Sequence, residues 1–141
     1  MHLRKWFSVL VVAAALALPL WAQQAMSDDE YDATMKQIRA TVGGANDHIT
    51  ARAGADVAAD GTALAESFAK VQAFWEARER EDATGWAAAA LEAARDLESA
   101  GGAGNFEAAA TAFGNLRGAC MPCHTQYRER TEDGFRIKSG S

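Results

Sequence analysis

Apolar residues recur along this chain at alternating spacings of four and three, which is the period of a helix and not of a strand. Four such segments span about 27–52, 62–80, 82–100 and 105–131, with glycine-bearing breaks at 54–61 and 101–104. Alanine is abundant, and no proline lies between Pro19 and Pro122. Short connections between successive helices favour antiparallel neighbours. The pattern therefore predicts an all-α fold, an antiparallel up-down-up-down four-helix bundle.

Two of the predicted helices begin at recognisable N-terminal caps. Ser27 and Glu30 have the spacing of a capping box, in which each side chain satisfies a free backbone amide. Asn105 is a favoured cap for the fourth helix. The polar residues 132–141 that follow this helix are predicted to form a flexible tail.

The N-terminal residues resemble a secretory leader. Arg4 and Lys5 precede an uncharged apolar run at 6–18, and Ala22 is a small residue suited to a cleavage point. We predict a signal peptide at 1–22 and a single bundle domain at 23–131, with no stable membrane insertion after cleavage. A retained membrane anchor is the alternative.

The charge balance restricts the partners. Removing Arg4 and Lys5 from 14 basic residues leaves 12 against 19 acidic ones, a formal charge of −7. Nucleic acid is therefore an unsuitable partner, whereas a redox protein with a basic docking patch is suitable. A homodimer is left open by the sequence.

The run Cys120-Met121-Pro122-Cys123-His124 carries the candidate chemistry. C-x-x-C-H is the c-type haem attachment signature: two thiols add across the haem vinyl groups, and the adjacent imidazole binds the iron. A disulfide between these two cysteines, the only ones in the chain, would close a very small loop. Zinc would need four ligands, and a thioredoxin-like dithiol would need βαβ surroundings. We therefore predict one covalently attached haem c.

The thiols share the apolar face of the fourth helix, which would tether the haem toward the bundle interior. The residues that follow this spacing are Phe106, Ala109, Phe113, Leu116, Cys120, Cys123 and Tyr127.

The C-terminal sequence resembles that of a known family. The pattern is Arg117-x-x-Cys120-x-x-Cys123-His124-x-x-Tyr127-Arg128, and it is similar to the ending of class II c-type cytochromes, the cytochrome c′ group. The resemblance covers essentially the whole chain after the leader. It implies a four-helix bundle with haem attached to the C-terminal helix and the first helix over the open face of the iron.

The resemblance places Met35 in the family's distal position. Members with methionine there are often low-spin electron carriers, whereas members with a non-ligating residue are five-coordinate and bind gases. Many of the latter carry arginine where this chain has Tyr31. Independently, a thioether suits haem iron when it is paired with histidine. We therefore predict His124 and Met35 as the iron ligands, with core packing as the alternative role of Met35.

Three further residues are candidates for haem contact. Trp75 and Tyr127 lie on the apolar faces of their segments, and Arg128 follows His124 by one turn, from which it can reach a propionate. No catalytic constellation is evident. The sequence thus predicts a periplasmic haem c protein that carries electrons and is not an enzyme. The alternatives are a five-coordinate protein that binds nitric oxide or carbon monoxide, and a non-haem metal or dithiol domain.

Overall fold

The computed structural model describes residues 26–141, so the predicted signal peptide at 1–22 lies outside the described residues. The elements are α1 (Asp28–Ala51), α2 (Gly54–Glu76), α3 (Glu81–Gly102), α4 (Phe106–Tyr127), β1 (Arg128–Thr131) and β2 (Gly134–Ile137). The prediction of an all-α fold with four helices is confirmed, apart from the small two-stranded sheet. None of the four helices has the length and hydropathy needed to cross a membrane.

The helices pack in chain order, as in a helical bundle. The α2–α3 contact is the most extensive, and among helices that are neighbours in the bundle α1 and α4 have the smallest contact. Asp28 at the start of α1 pairs with Arg78 just after α2, and Tyr127 at the end of α4 bonds Asp82 at the start of α3. The start of one helix thus lies beside the end of its neighbour, as in antiparallel pairs.

The predicted apolar stripes form the core. The largest fully buried side chains are Trp75, Phe74, Leu64, Leu97, Leu116 and Val57. Much of the remaining core is alanine, above all in α3, so the helices approach closely and bury little area per side chain.

The caps of α1 and α4 form as predicted. Ser27 Oγ accepts from the Glu30 amide at 3.2 Å, and Glu30 Oε2 accepts from the Ser27 amide at 2.7 Å. Asn105 Oδ1 accepts from the Ala108 amide at 3.1 Å.

The predicted break at 54–61 is wrong, because α2 already begins at Gly54. The glycines there serve packing and do not end a helix. A Cβ on Gly61 would lie 2.3 Å from the Glu98 backbone nitrogen, and a Cβ on Gly101 would lie 2.5 Å from the Ala58 backbone nitrogen. The absent side chains therefore allow α2 and α3 to touch backbone to backbone.

The C-terminal prediction is also corrected. The fourth helix ends at Tyr127 instead of continuing to 131, and residues 128–137 form an antiparallel hairpin where a flexible tail was predicted from 132. The Asp133-Gly134 pair is the sequence signal for the turn of this hairpin, and Gly134 adopts a φ of 148° there. The Lys138 amide donates to the Tyr127 carbonyl at 2.8 Å, which holds the hairpin against the end of α4.

Candidate functional site

The last two turns of α4 present Cys120, Cys123 and His124 together. Both thiols are free and half-buried, and one helical turn separates them. The Cys120 thiol donates to the Leu116 carbonyl at 3.2 Å. Both cysteines also pack against the buried core of the bundle.

The surroundings keep all three groups uncharged at neutral pH. Burial raises the pKa of the Cys123 thiol to about 11 and also raises that of Cys120. Burial, with a smaller effect of the Arg128 charge, lowers the pKa of His124. The half-buried imidazole makes no hydrogen bond within residues 26–141, so its ring nitrogens keep a lone pair available to a metal.

Aromatic rings from all four helices surround this end of α4, and we call them the aromatic cluster: Tyr31, Phe74, Trp75, Trp86 and Tyr127. The Trp75 ring lies 4.7 Å from Tyr127 and 5.7 Å from Tyr31, and the Tyr31 ring stacks on Phe74 at 4.2 Å. Trp86 lies 6.4 Å from Tyr127. The structure therefore brings Trp75 and Tyr127, both predicted from sequence, into one cluster beside the thiols.

Tyr31 belongs to this site, although sequence reasoning placed it only on the apolar stripe of the first helix and noted it as a departure from a family pattern. Its hydroxyl accepts a hydrogen bond from Trp75 Nε1 at 3.3 Å. Burial, followed by the neighbouring Cys123, raises the pKa of Tyr31 well above its usual range. A neutral hydroxyl thus lies close to the second thiol. The helical period placed Tyr31 on the core face, but it could not show which residues its hydroxyl meets.

Asp82 is a second residue that sequence reasoning missed. It accepts a hydrogen bond from the Tyr127 hydroxyl at 2.7 Å, and this bond is the main cause of its lowered pKa. Nearby, the buried Nε of Arg80 has no hydrogen-bond partner in the described residues, while its Nη2 donates to the Gly140 carbonyl at 3.1 Å. The start of α3 and the C-terminal segment therefore complete this end of the bundle.

An open cleft of about 360 Å³ lies between α1 and α4. Its lining residues are Arg39, Val42, Gly43, Asn46, Phe113 and Arg117. The cleft lies between the two neighbouring helices with the smallest contact, so this pair leaves space that the other neighbouring pairs fill.

Helical register extends the cleft face toward the thiols. On α4, Phe113, Arg117, Cys120 and His124 follow one another at spacings of four, three and four, and so share a face. On α1, the same spacings place Met35 on the face of Arg39, Val42 and Asn46. Met35 is half-buried and packs against the core. Met35 and His124 therefore lie on the facing stripes of α1 and α4. Within residues 26–141, no direct contact between these two residues is observed.

Arg128 lies outside the aromatic cluster. Its guanidinium stacks on the Phe135 ring of the hairpin, with the carbon 4.1 Å from the ring centre. It is near enough to His124 to lower the histidine pKa. The structure therefore assigns this arginine to the hairpin surface, beside the histidine.

The donor set fits a covalently attached haem. Two apolar-shielded thiols lie one turn apart, a neutral imidazole without a hydrogen-bond partner in residues 26–141 follows them, and aromatic rings line the surroundings. Among residues 26–141, no three His, Cys, Asp or Glu side chains are grouped so as to hold a bare metal ion. A haem needs no such group, because its porphyrin supplies four of the iron ligands. Comparisons of the chain with protein-family models, curated proteins and solved structures return no match.

Proposed function

We propose that this protein is an exported haem c protein that carries single electrons between redox partners, with one haem attached through Cys120 and Cys123. The observation that carries the proposal is the pair of half-buried thiols, one turn apart, next to a neutral His124. The resemblance to class II c-type cytochromes points to the same function, and the predicted leader at 1–22 favours a periplasmic location. The absence of a catalytic constellation in the sequence favours a carrier over an enzyme.

When bound, the haem supplies an iron that changes by one electron. Cys120 and Cys123 would each hold the haem through a thioether, with the thiol S–H added across one vinyl group. His124 would offer an imidazole lone pair to the iron, and its depressed pKa keeps that lone pair free of protons at neutral pH. Two covalent links on one helix would fix the group relative to this imidazole.

The remaining site residues control solvent. Trp75 is fully buried, and its edge contact with the Tyr31 ring and its tilted packing against the Tyr127 ring exclude water from the end of the bundle. Its indole N–H is satisfied by the Tyr31 hydroxyl, so no unpaired donor is buried there. A dry, rigid environment changes little when charge moves, which suits rapid electron transfer.

Met35 would supply a second protein ligand to the iron. By helical register it shares the α1 face of the cleft residues, and a thioether paired with histidine raises the reduction potential of haem iron. With two protein ligands, the iron would have no position for an exogenous molecule.

A second candidate function, binding of nitric oxide or carbon monoxide, is favoured by one observation. The α1–α4 contact is the least extensive among the neighbouring helix pairs and leaves an open cleft on the helix faces that continue toward Met35 and His124. If the thioether does not bind the iron, a small ligand has a route to the open face.

The test is production of the full chain in a host with cytochrome c maturation. Mass spectrometry should show cleavage after Ala22 and the added mass of one haem, and acid-acetone extraction should leave the colour with the protein. A variant carrying Cys120→Ala and Cys123→Ala is the matched control and should lack the haem. A haem-free protein with two free thiols, from cells that mature a control cytochrome, would refute the assignment.

An absorption spectrum then separates the two functions. A low-spin spectrum in both oxidation states and slow reaction with carbon monoxide would favour electron transfer. A high-spin ferrous protein that binds carbon monoxide at once would favour gas binding, and Met35 would then be a core residue only.

A further inference from the structure

The C-terminal hairpin presents one face that carries only positive and apolar side chains. Its register pairs Arg128 with Ile137 and Arg130 with Phe135. Because directly paired residues point to the same side of a sheet, these four side chains share one face, which we call the arginine face. Glu129 and Arg136 lie on the opposite face, where they form an ion pair at 2.6 Å.

Aromatic stacking positions the cations of the arginine face. The guanidinium carbons of Arg128 and Arg130 lie 4.1 and 5.3 Å from the centre of the Phe135 ring. Neither arginine forms an ion pair with any residue in 26–141, and both are exposed. The two guanidinium groups are therefore held in place and available to an external anion.

Phe135 adds an apolar contact to these charges. It is 40% exposed, and within the described part of the chain only Met121 is a more exposed large hydrophobic side chain. Arginine and aromatic residues are the types that dominate binding energy at protein interfaces. A stacked Arg–Phe–Arg group thus has the composition of an interface centre.

The charge of this segment differs in sign from that of the bundle. Residues 26–127 contain 8 basic and 16 acidic residues, whereas residues 128–141 contain 4 basic and 3 acidic ones. The total charge favours a basic patch on a partner, but an approaching protein meets the local charge within a Debye length of about 10 Å. On the arginine face, which carries Arg128 and Arg130 and no acidic residue, the complementary surface is acidic.

The hairpin lies next to the candidate haem site. Arg128 follows His124 by four residues, about 6 Å along the helix. The Lys138 amide donates to the Tyr127 carbonyl, and Lys138 Nζ donates to the Thr125 carbonyl at 3.2 Å. These bonds fix the arginine face relative to the last turn of α4, so a partner bound there lies beside the haem-bearing turn.

We propose that the arginine face docks an acidic patch of a redox protein partner. This inference rests on the proposed function, because it places the partner by its distance from the haem. The kind of partner follows from charge complementarity. Its surface carries carboxylates that pair with Arg128 and Arg130, and beside them an apolar side chain that covers Phe135.

The test uses the haem-loaded full chain and a ten-residue glutamate peptide as the acidic probe. Amide shifts in an NMR titration should be largest at Arg128, Arg130 and Phe135. At low ionic strength, Arg130→Gln should weaken binding by about two- to fivefold, as expected for one exposed ion pair. Arg95→Gln is the matched control, since Arg95 is an exposed arginine on α3, and it should leave the affinity unchanged.

Electron transfer provides an independent readout. Arg130→Gln should slow oxidation of the ferrous protein by hexacyanoferrate(III), an anion, relative to oxidation by the cationic tris(bipyridine)cobalt(III). The Arg95→Gln control should leave this ratio unchanged.

Three outcomes would overturn the proposal: shifts confined to the helices, equal effects of the two glutamine variants, or binding to vesicles of anionic lipid without binding to the peptide. The last would assign the face to a membrane surface. Failure of the proposed function is separate, because it appears as missing haem in the mass spectrum while the thiol protein can still be titrated with the peptide.

Discussion

Gly61→Ala is the substitution whose effect the structure determines most directly. A Cβ at this position would lie 2.3 Å from the Glu98 nitrogen and 2.6 Å from the Glu98 Cα, whereas ordinary contact begins at 3.4 Å. Both obstructing atoms belong to the α3 backbone, so no side chain can rotate away. The two helices would have to separate by about 1 Å, and van der Waals contact along their interface would weaken.

The magnitude combines two opposing terms. Overpacking of this kind costs up to about 3 kcal/mol, and the higher helix propensity of alanine returns about 1 kcal/mol. We expect Gly61→Ala to lower the free energy of unfolding by about 2 kcal/mol, which corresponds to a fall in Tm of about 8 °C in a domain of this size.

Gly114→Ala is the matched control. Gly114 also lies within a helix, but a Cβ there meets nothing within 4 Å. The higher helix propensity of alanine is then the only effect of the substitution, and the free energy of unfolding should rise by about 1 kcal/mol. Urea and thermal unfolding followed by far-UV circular dichroism would measure both variants. If Gly61→Ala proves as stabilising as Gly114→Ala, then α2 and α3 do not pack through this glycine.

Three further predictions concern the site and its surroundings. In the haem-loaded protein, Met35→Leu should give a high-spin spectrum and a lower reduction potential, unless the thioether is not a ligand. Tyr31→Phe leaves the buried Trp75 Nε1 without its acceptor and should cost about 1–3 kcal/mol, measured by urea unfolding; no loss would mean that the indole finds water. A hydrogen bond to Asp60 at 2.7 Å raises the folded-state pKa of His48 above its ordinary 6.5. This contribution is complete below pH 6.5 and is lost as pH rises through the raised pKa, so Asp60→Asn should destabilise the protein at pH 5.5 and little at pH 9; a pH-independent effect would contradict the assignment.

Glycine shows why boundaries were harder to predict than helices. The four apolar stripes have the helical period, and each became a helix whose stripe faces the core. Gly54 and Gly61 were interpreted as a helix break because glycine disfavours a helix in isolation. Their contribution to packing appears only when α3 is present, since the missing side chains let Gly101 and Glu98 approach. The sequence of a single segment does not show which helix will pack against it.

The C-terminal segment was mispredicted for a related reason. The sequence pattern extended the fourth helix to 131, and the polar residues 132–141 were predicted to form a flexible tail. The structure orders them through cross-strand pairing and through bonds to the end of α4, where Lys138 meets the Thr125 and Tyr127 carbonyls. The two bonds of Lys138 join residues more than ten positions apart, so no local period of the sequence indicates them.

The sequence by itself determined the helical class, the capped starts of α1 and α4, and the grouping of Cys120, Cys123 and His124, because each depends on residues within one or two turns. Only the tertiary structure decided what surrounds that group. Tyr31, Trp75 and Asp82 come from three different helices, and their contacts depend on the angle and distance at which those helices pack. Packing also left the cleft between α1 and α4 and placed the arginine face beside His124. Local periodicity shows which face of a helix is buried, whereas the partner of that face is fixed only when all the helices compete for the same core.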